Sequence, residues 1–128
     1  MNKQFKPIGY NSVSPYFIVP GAQKFIDLLK SILDVKDLRR YDRPDGTIMH
    51  AELQIDDSVI MLGDSSDEFP PIPLVIHVYV SNVDETFKRA IDGGCEIVEQ
   101  PMVREGDPDR RGTFKDFAGN MWSVGTQL

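Results

Sequence analysis

Two stretches of this chain, about 13–63 and about 73–127, carry the same succession of apolar patterns. In the first, SPYFIV (14–19) is aromatic and β-branched and predicts a strand. Pro20-Gly21 breaks it. Ala22, Phe25, Ile26, Leu29, Ile32 and Leu33 then share one stripe, with Gln23, Lys24, Asp27 and Lys30 opposite, which predicts a helix ending near Leu33 or Asp34. LRRYDR (38–43) reads as a solvated strand, and Pro44-Asp45-Gly46 is a strong turn signal. TIMHAELQI (47–55) alternates: Met49, Ala51, Leu53 and Ile55 on one face, Ile48, His50, Glu52 and Gln54 on the other. Asp56-Asp57 makes the next turn, and SVIML (58–62) the last strand.

An acidic, proline-bearing connector over 64–72 follows, and the pattern starts again. LVIHVYV (74–80) predicts a strand, and Ser81 or Asn82 can cap a helix whose stripe is Val83, Phe87, Ala90 and Ile91. Gly93-Gly94 ends that helix. CEIVE (95–99) reads as a short strand and 101–112 as a long polar loop. TFKDF (113–117) and NMWSVGT (120–126) form a final hairpin turning at Ala118-Gly119. Laid over each other, Val80 falls on Val19, Phe87 on Ile26, and Gly112-Thr113 on Gly46-Thr47. The expected fold class is α+β, with two βαβββ modules in a single domain over 1–128. A ferredoxin-like domain without a true repeat is the alternative.

Composition bounds the setting. The single cysteine, Cys95, cannot form an internal disulfide and suits a reducing compartment. MNKQFKPIGY has no apolar core of a signal peptide, and no apolar run approaches the roughly 18 residues of a membrane helix. The expected location is cytoplasmic, with no membrane partner. A net charge of −6 argues against nucleic acid, which calls for a basic face, and permits a cationic ligand.

Four stretches together resemble the glyoxalase/bleomycin-resistance/extradiol-dioxygenase (vicinal oxygen chelate) superfamily: PYFIVPGAQKFIDLLKSIL, DGTIMHAELQIDDSVIML, HVYVSNVDETFKRAIDGG and KDFAGNMWSV. The last is similar to the D-P-F-G-x-x-W ending of a glyoxalase-like subgroup. The resemblance implies that the two modules form a cup-shaped half-barrel and that the protein is a homodimer with its cavity at the interface. In metal-dependent members, His and Glu from the first and fourth strands of each module hold a divalent ion that polarises the substrate. Those four positions fall here on Ser14, Met61, Val75 and Ser123, none of which is a normal ligand, so neither a metal nor another cofactor is expected. A register slip of two residues would put His77 at one of them.

Strand parity supplies the candidate cavity lining. Tyr16 shares a face with Ser14 and Ile18; His77 and Tyr79 with Val75; Met61 with Val59; Met121 and Gly125 with Ser123. His50 and Glu52, about 7 Å apart on one strand face, are candidates for a general base and acid. Aromatic rings, methionines and a few polar groups suit a small-molecule pocket, and aromatic faces hold cations. Trp122, of opposite parity, is expected in the core, Cys95 is expected to be structural, and the charged residues of 104–111 are a candidate lid. The function expected is sequestration of a small, aromatic or cationic compound, as in bleomycin-resistance proteins. A lyase or isomerase using His50 and Glu52 or a relocated metal is the alternative, and a regulatory module that kept only the fold is a third.

Overall fold

The computed structural model describes residues 4–128. The elements run β1 (Tyr16–Val19), α1 (Ala22–Ile32), β2 (Val35–Asp42), β3 (Ile48–Ile55), β4 (Ser58–Asp64), β5 (Val75–Tyr79), α2 (Val83–Asp92), β6 (Glu96–Val103), β7 (Asp109–Lys115) and β8 (Met121–Gln127). They make two four-stranded sheets of identical topology, β1-β4-β3-β2 and β5-β8-β7-β6. In each the first strand pairs in parallel with the fourth, and the remaining pairs are antiparallel. This is the α+β pair of βαβββ modules expected from the sequence.

Each helix is capped from the last strand of its own module, at equivalent positions. Gly21, at φ 95°, turns the chain into α1 where a side chain would be strained. The Asp64 carboxylate accepts from the free backbone N–H groups of Gly21 and Ala22 at 3.2 and 2.8 Å, and from Ile48 N–H at 2.7 Å. At the matching place in β8, Thr126 accepts from Val83 N–H at 3.0 Å and donates to the Val80 carbonyl at 2.8 Å. Asn82 adds the N-cap bond expected of it, accepting from Glu85 N–H.

The helices pack together, and the buried faces of both sheets join one core. Trp122 is its centre: its ring stacks on Phe17 of the first module at 5.5 Å and on Phe114 of the second at 6.4 Å. Its indole N–H donates to Asp116 at 2.9 Å. Asp116 also accepts from the Ala118 and Asn120 N–H groups, which fixes the turn of the final hairpin.

Three sequence expectations need correction. The polar loop expected over 101–112 is mostly strand, because β6 continues to Val103 and β7 begins at Asp109. Pro101 lies within β6 because that strand is at the sheet edge and shifts register there, where a missing N–H removes no ladder bond that matters. Gly112 matches Ala51 rather than Gly46: Ala51 pairs with Leu62 in β4, and Gly112 with Val124 at the equivalent place in β8. Met49 does not face the helix. The ladder skips it between Tyr41–His50 and Asp42–Ile48, so Ile48 turns into the core and Met49 outward. Gly63 makes room for this bulge, since a Cβ there would lie 2.7 Å from the Met49 carbonyl oxygen.

Candidate functional site

Phe17, Val19, Leu62, Trp122 and Val124 face the helices, so their strand neighbours face the other way. That opposite surface of the first sheet carries Tyr16, Met61, His50 and Glu52, and that of the second carries His77, Tyr79, Met121 and Ser123. The ladders pair Tyr16 with Met61 and His77 with Ser123. The positions that face one another across the first and fourth strands are therefore Tyr16, Met61, His77 and Ser123, with Ser14 and Val75 one step behind. Val75 is exposed, and the Ser14 hydroxyl accepts from Asn11 Nδ2 at 3.4 Å.

In the first module these groups are linked. Glu52 Oε2 lies 2.8 Å from His50 Nε2, and His50 Nδ1 lies 3.0 Å from Tyr16 Oη. Tyr10 donates to the other Glu52 oxygen, and Arg39 Nε approaches the same oxygen at 4.0 Å. Glu52 is only 5% exposed. Burial alone would push its pKa up. The hydrogen bonds from Tyr10 and His50 and the charges nearby outweigh burial and hold it below the ordinary carboxylate value. An ionised Glu52 only accepts, so His50 Nε2 carries a proton toward it. In a neutral imidazole Nδ1 is then an acceptor, and the Tyr16 hydroxyl donates to it. The Tyr16 and Tyr41 rings flank His50, at 5.6 and 6.3 Å between centroids. Burial raises the Tyr16 phenol above its ordinary pKa, while Arg43 pulls it the other way.

Tyr10 is the functional residue that sequence reading missed. Residues 1–12 read as a loose polar lead-in, of which 1–3 lie outside the described residues. Within the described part, Tyr10 and Asn11 bond to the first sheet. Besides Tyr10 on Glu52, Asn11 Oδ1 accepts from Val59 N–H at 3.0 Å, prolonging the bonding of β4 beyond the start of β1. Val59, expected to line the cavity, is fully buried. A tyrosine followed by asparagine in a polar segment, with no periodicity, was the only signal.

The second module holds a different set. His77 meets Tyr79 edge-on at 4.6 Å. Tyr79 donates to Asp109 at 2.7 Å, which raises the Tyr79 pKa. Arg111 spans Asp107 and Asp109 at 2.9 and 3.2 Å. Gly125 leaves space beside His77, since a Cβ there would lie 3.3 Å from Nε2. Besides Asp107, Asp109 and Arg111, two more charges of 104–111 are engaged within this module: Arg104 pairs with Glu99, and Arg110 forks onto Asp84. Cys95 lies buried, its thiol pushed up to about 11 by burial and by Asp116, which makes it a poor nucleophile. A groove of about 300 Å³ runs along the seam between the modules, lined by Ile55, Val78, Thr86 and Arg89 and reaching Tyr79.

The metal that some relatives of this fold use does not fit these residues. A phenol, a thioether, one imidazole and a hydroxyl make a poor donor set for a divalent ion. Among the described residues, no three His, Cys, Asp or Glu side chains gather as a metal-holding group. No helix among them is long and apolar enough to cross a membrane.

A repeated βαβββ module, two open four-stranded sheets and a shared helical core define the class. The profile of the Glyoxalase/Bleomycin resistance protein/Dioxygenase superfamily matches residues 10–124, and the chain belongs to that superfamily. An uncharacterized protein of Mycobacterium bovis is 30% identical over 125 residues, covering 89% of this chain and 82% of the relative. Among solved structures, TioX from Micromonospora sp. ML1 is similar with a TM-score of 0.72 at 24% identity, covering 91% of this chain and 96% of that one. TnmS3, an antibiotic binding protein from Streptomyces sp. CB03234, superposes with a TM-score of 0.67 at 19% identity, covering 92% and 98%. The fosfomycin resistance protein FosX from Mesorhizobium loti gives 0.67 at 17% identity, covering 92% of each chain. At these identities the structural likeness establishes the fold.

Proposed function

We propose that this chain is a small-molecule-binding protein that acts as a homodimer and sequesters an aromatic or cationic compound in a metal-free cup between modules. One observation carries the reading. The facing positions of the first and fourth strands hold Tyr16, Met61, His77 and Ser123, a set suited to stacking and hydrogen bonding and unsuited to gripping an ion. Tyr16, Tyr41 and Tyr79 each leave a large part of their rings exposed on the faces turned from the helices, surface that a second copy and a ligand would cover. The antibiotic binding protein TnmS3 shares the fold, which makes the reading a natural use of it.

Calorimetric titration of the purified protein with bleomycin and other planar cations tests the reading. Saturable binding at one ligand per cup, by a species that sediments as a dimer and carries no stoichiometric metal, is the expected result. No heat from any of them, or a stoichiometric transition metal in elemental analysis, overturns it.

The 2.8 Å contact between His50 and Glu52 favours a second reading, a lyase or isomerase in which this pair moves a proton. Turnover of a bound compound that vanishes in His50→Gln would select it over sequestration.

A further inference from the structure

Around Glu52 the side-chain hydrogen bonds of the first module converge. Glu52 is the sink: Tyr10 donates to one of its oxygens and His50 Nε2 to the other. With the imidazole neutral and its Nε2 hydrogen on Glu52, Tyr16 donates to His50 Nδ1 at 3.0 Å, which commits the only hydrogen of its hydroxyl. What Tyr16 Oη presents outward is therefore lone pairs. Tyr16 is 42% exposed, whereas His50 is half-buried and Glu52 buried, so the phenol is the end of the chain that a ligand can reach.

We infer that Tyr16 is the ligand-facing end of a proton relay, Tyr16–His50–Glu52, that receives a weakly acidic hydroxyl of phenol or enol type. This rests on the small-molecule-binding reading and adds the chemistry of the ligand. The step balances within four groups. The ligand O–H bond breaks as its proton goes to Tyr16 Oη. The former Tyr16 proton goes to His50 Nδ1, giving an imidazolium held by the Glu52 carboxylate, and the ligand remains bound as its oxyanion. The charged and titratable groups around this chain are Tyr10, Arg39, Tyr41 and Arg43. Arg39 lies on the Glu52 side, and Arg43 acts on the Tyr16 hydroxyl as a positive charge. Burial is the largest influence on the Tyr16 hydroxyl and Glu52 adds to it, both opposing a negative charge there while Arg43 acts the other way, so the bound oxyanion depends on the proton passing on to His50.

The test uses 4-nitrophenol, whose anion absorbs differently from its neutral form, and its methyl ether 4-nitroanisole, which has no proton to give. Both are titrated into the full chain at a pH below the phenol's own pKa. The expected result is a nitrophenolate band on binding, with affinity for the ether weaker by about tenfold or more. Tyr16→Phe and His50→Gln both lose the band. Nitrogen NMR of the wild-type protein gives a reading independent of any variant: His50 Nδ1 is bare before the probe is added and protonated after. Equal affinity for phenol and ether, or a bound phenol that stays neutral, overturns the relay and leaves the cup reading standing if planar cations still bind. Failure of the phenol and of the planar cations to bind overturns both.

Discussion

The two modules share a backbone and differ in what it holds. The ladders set Tyr16 against His77, Met61 against Ser123, Gly63 against Gly125 and Asp64 against Thr126. They set Glu52, which pairs with Met61, against Thr113, which pairs with Ser123. On the same count His50 answers to Arg111. The first module thus places a buried, ionised carboxylate behind an imidazole and a phenol. The second puts a hydroxyl in the carboxylate's place and a permanent cation in the imidazole's, and that cation is locked to Asp107 and Asp109. Both keep the helix cap and the glycine clearance, which the fold needs. Only the first links a phenol, an imidazole and a buried carboxylate by hydrogen bonds. The repeat thus holds what builds the sheet in common and varies what sits on its open face.

The sharpest way to break this comparison is to ask whether the modules are separate folding units. Trp122 belongs to the second module, yet stacks on Phe17 of the first. Trp122→Ala should lower stability by about 3–5 kcal/mol, the range for an aromatic lost from a packed core. It also strips Asp116 of an indole donor. Denaturant unfolding followed by far-ultraviolet circular dichroism should remain one transition with a lower midpoint. Two resolved transitions would mean that each sheet stands on its own and that the shared core is incidental.

Paired substitutions at Glu52 and Thr113 test the difference between the open faces. Glu52→Gln keeps the shape but removes the charge that draws the Tyr10 and His50 donors, and should cost about 1–3 kcal/mol at neutral pH. Thr113→Val, at the equivalent place, should fall within about 0.5 kcal/mol, because Thr113 is only partly buried and anchors no such network. Equal losses at the two sites would show that the Glu52 network has no special weight.

Much of the fold and part of the site are legible in the sequence. Period-two spacing put His50 and Glu52 on one face, and they meet. The helix stripes, the Gly21 break and the Asn82 cap are local, and local patterns survive folding. Contacts between distant segments were not readable. Tyr10 and Glu52 are 42 residues apart, and nothing periodic joins them. Met49 obeyed the alternation of its own strand and was turned out by a bulge that depends on the partner strand. Pro101 read as a loop because an edge strand that tolerates it is defined only once the sheet is assembled.

The smallest effect belongs to the acid limb of stability. Glu52 and Asp107 both have pKa values held below the ordinary carboxylate range, Glu52 by the bonds of Tyr10 and His50 against the opposing effect of burial, Asp107 by its hydrogen bond from Arg111. A depressed carboxylate gives stability that is present above its unfolded pKa and is lost as pH falls through the folded one. Both modules should therefore weaken on acidification below about pH 4. They should do so unequally. Glu52 is shielded from solvent, so Glu52→Gln should visibly flatten the fall in melting temperature with pH, and added salt should change that little. Asp107 sits on a partly exposed ion pair, where water and salt screen the attraction. Asp107→Asn should flatten the curve less, and its difference from the wild type should fade in molar salt. If the Asp107 variant had the larger and more salt-resistant effect, the acid-sensitive group of this protein would lie in the second module, and the division drawn between the two faces would be reversed.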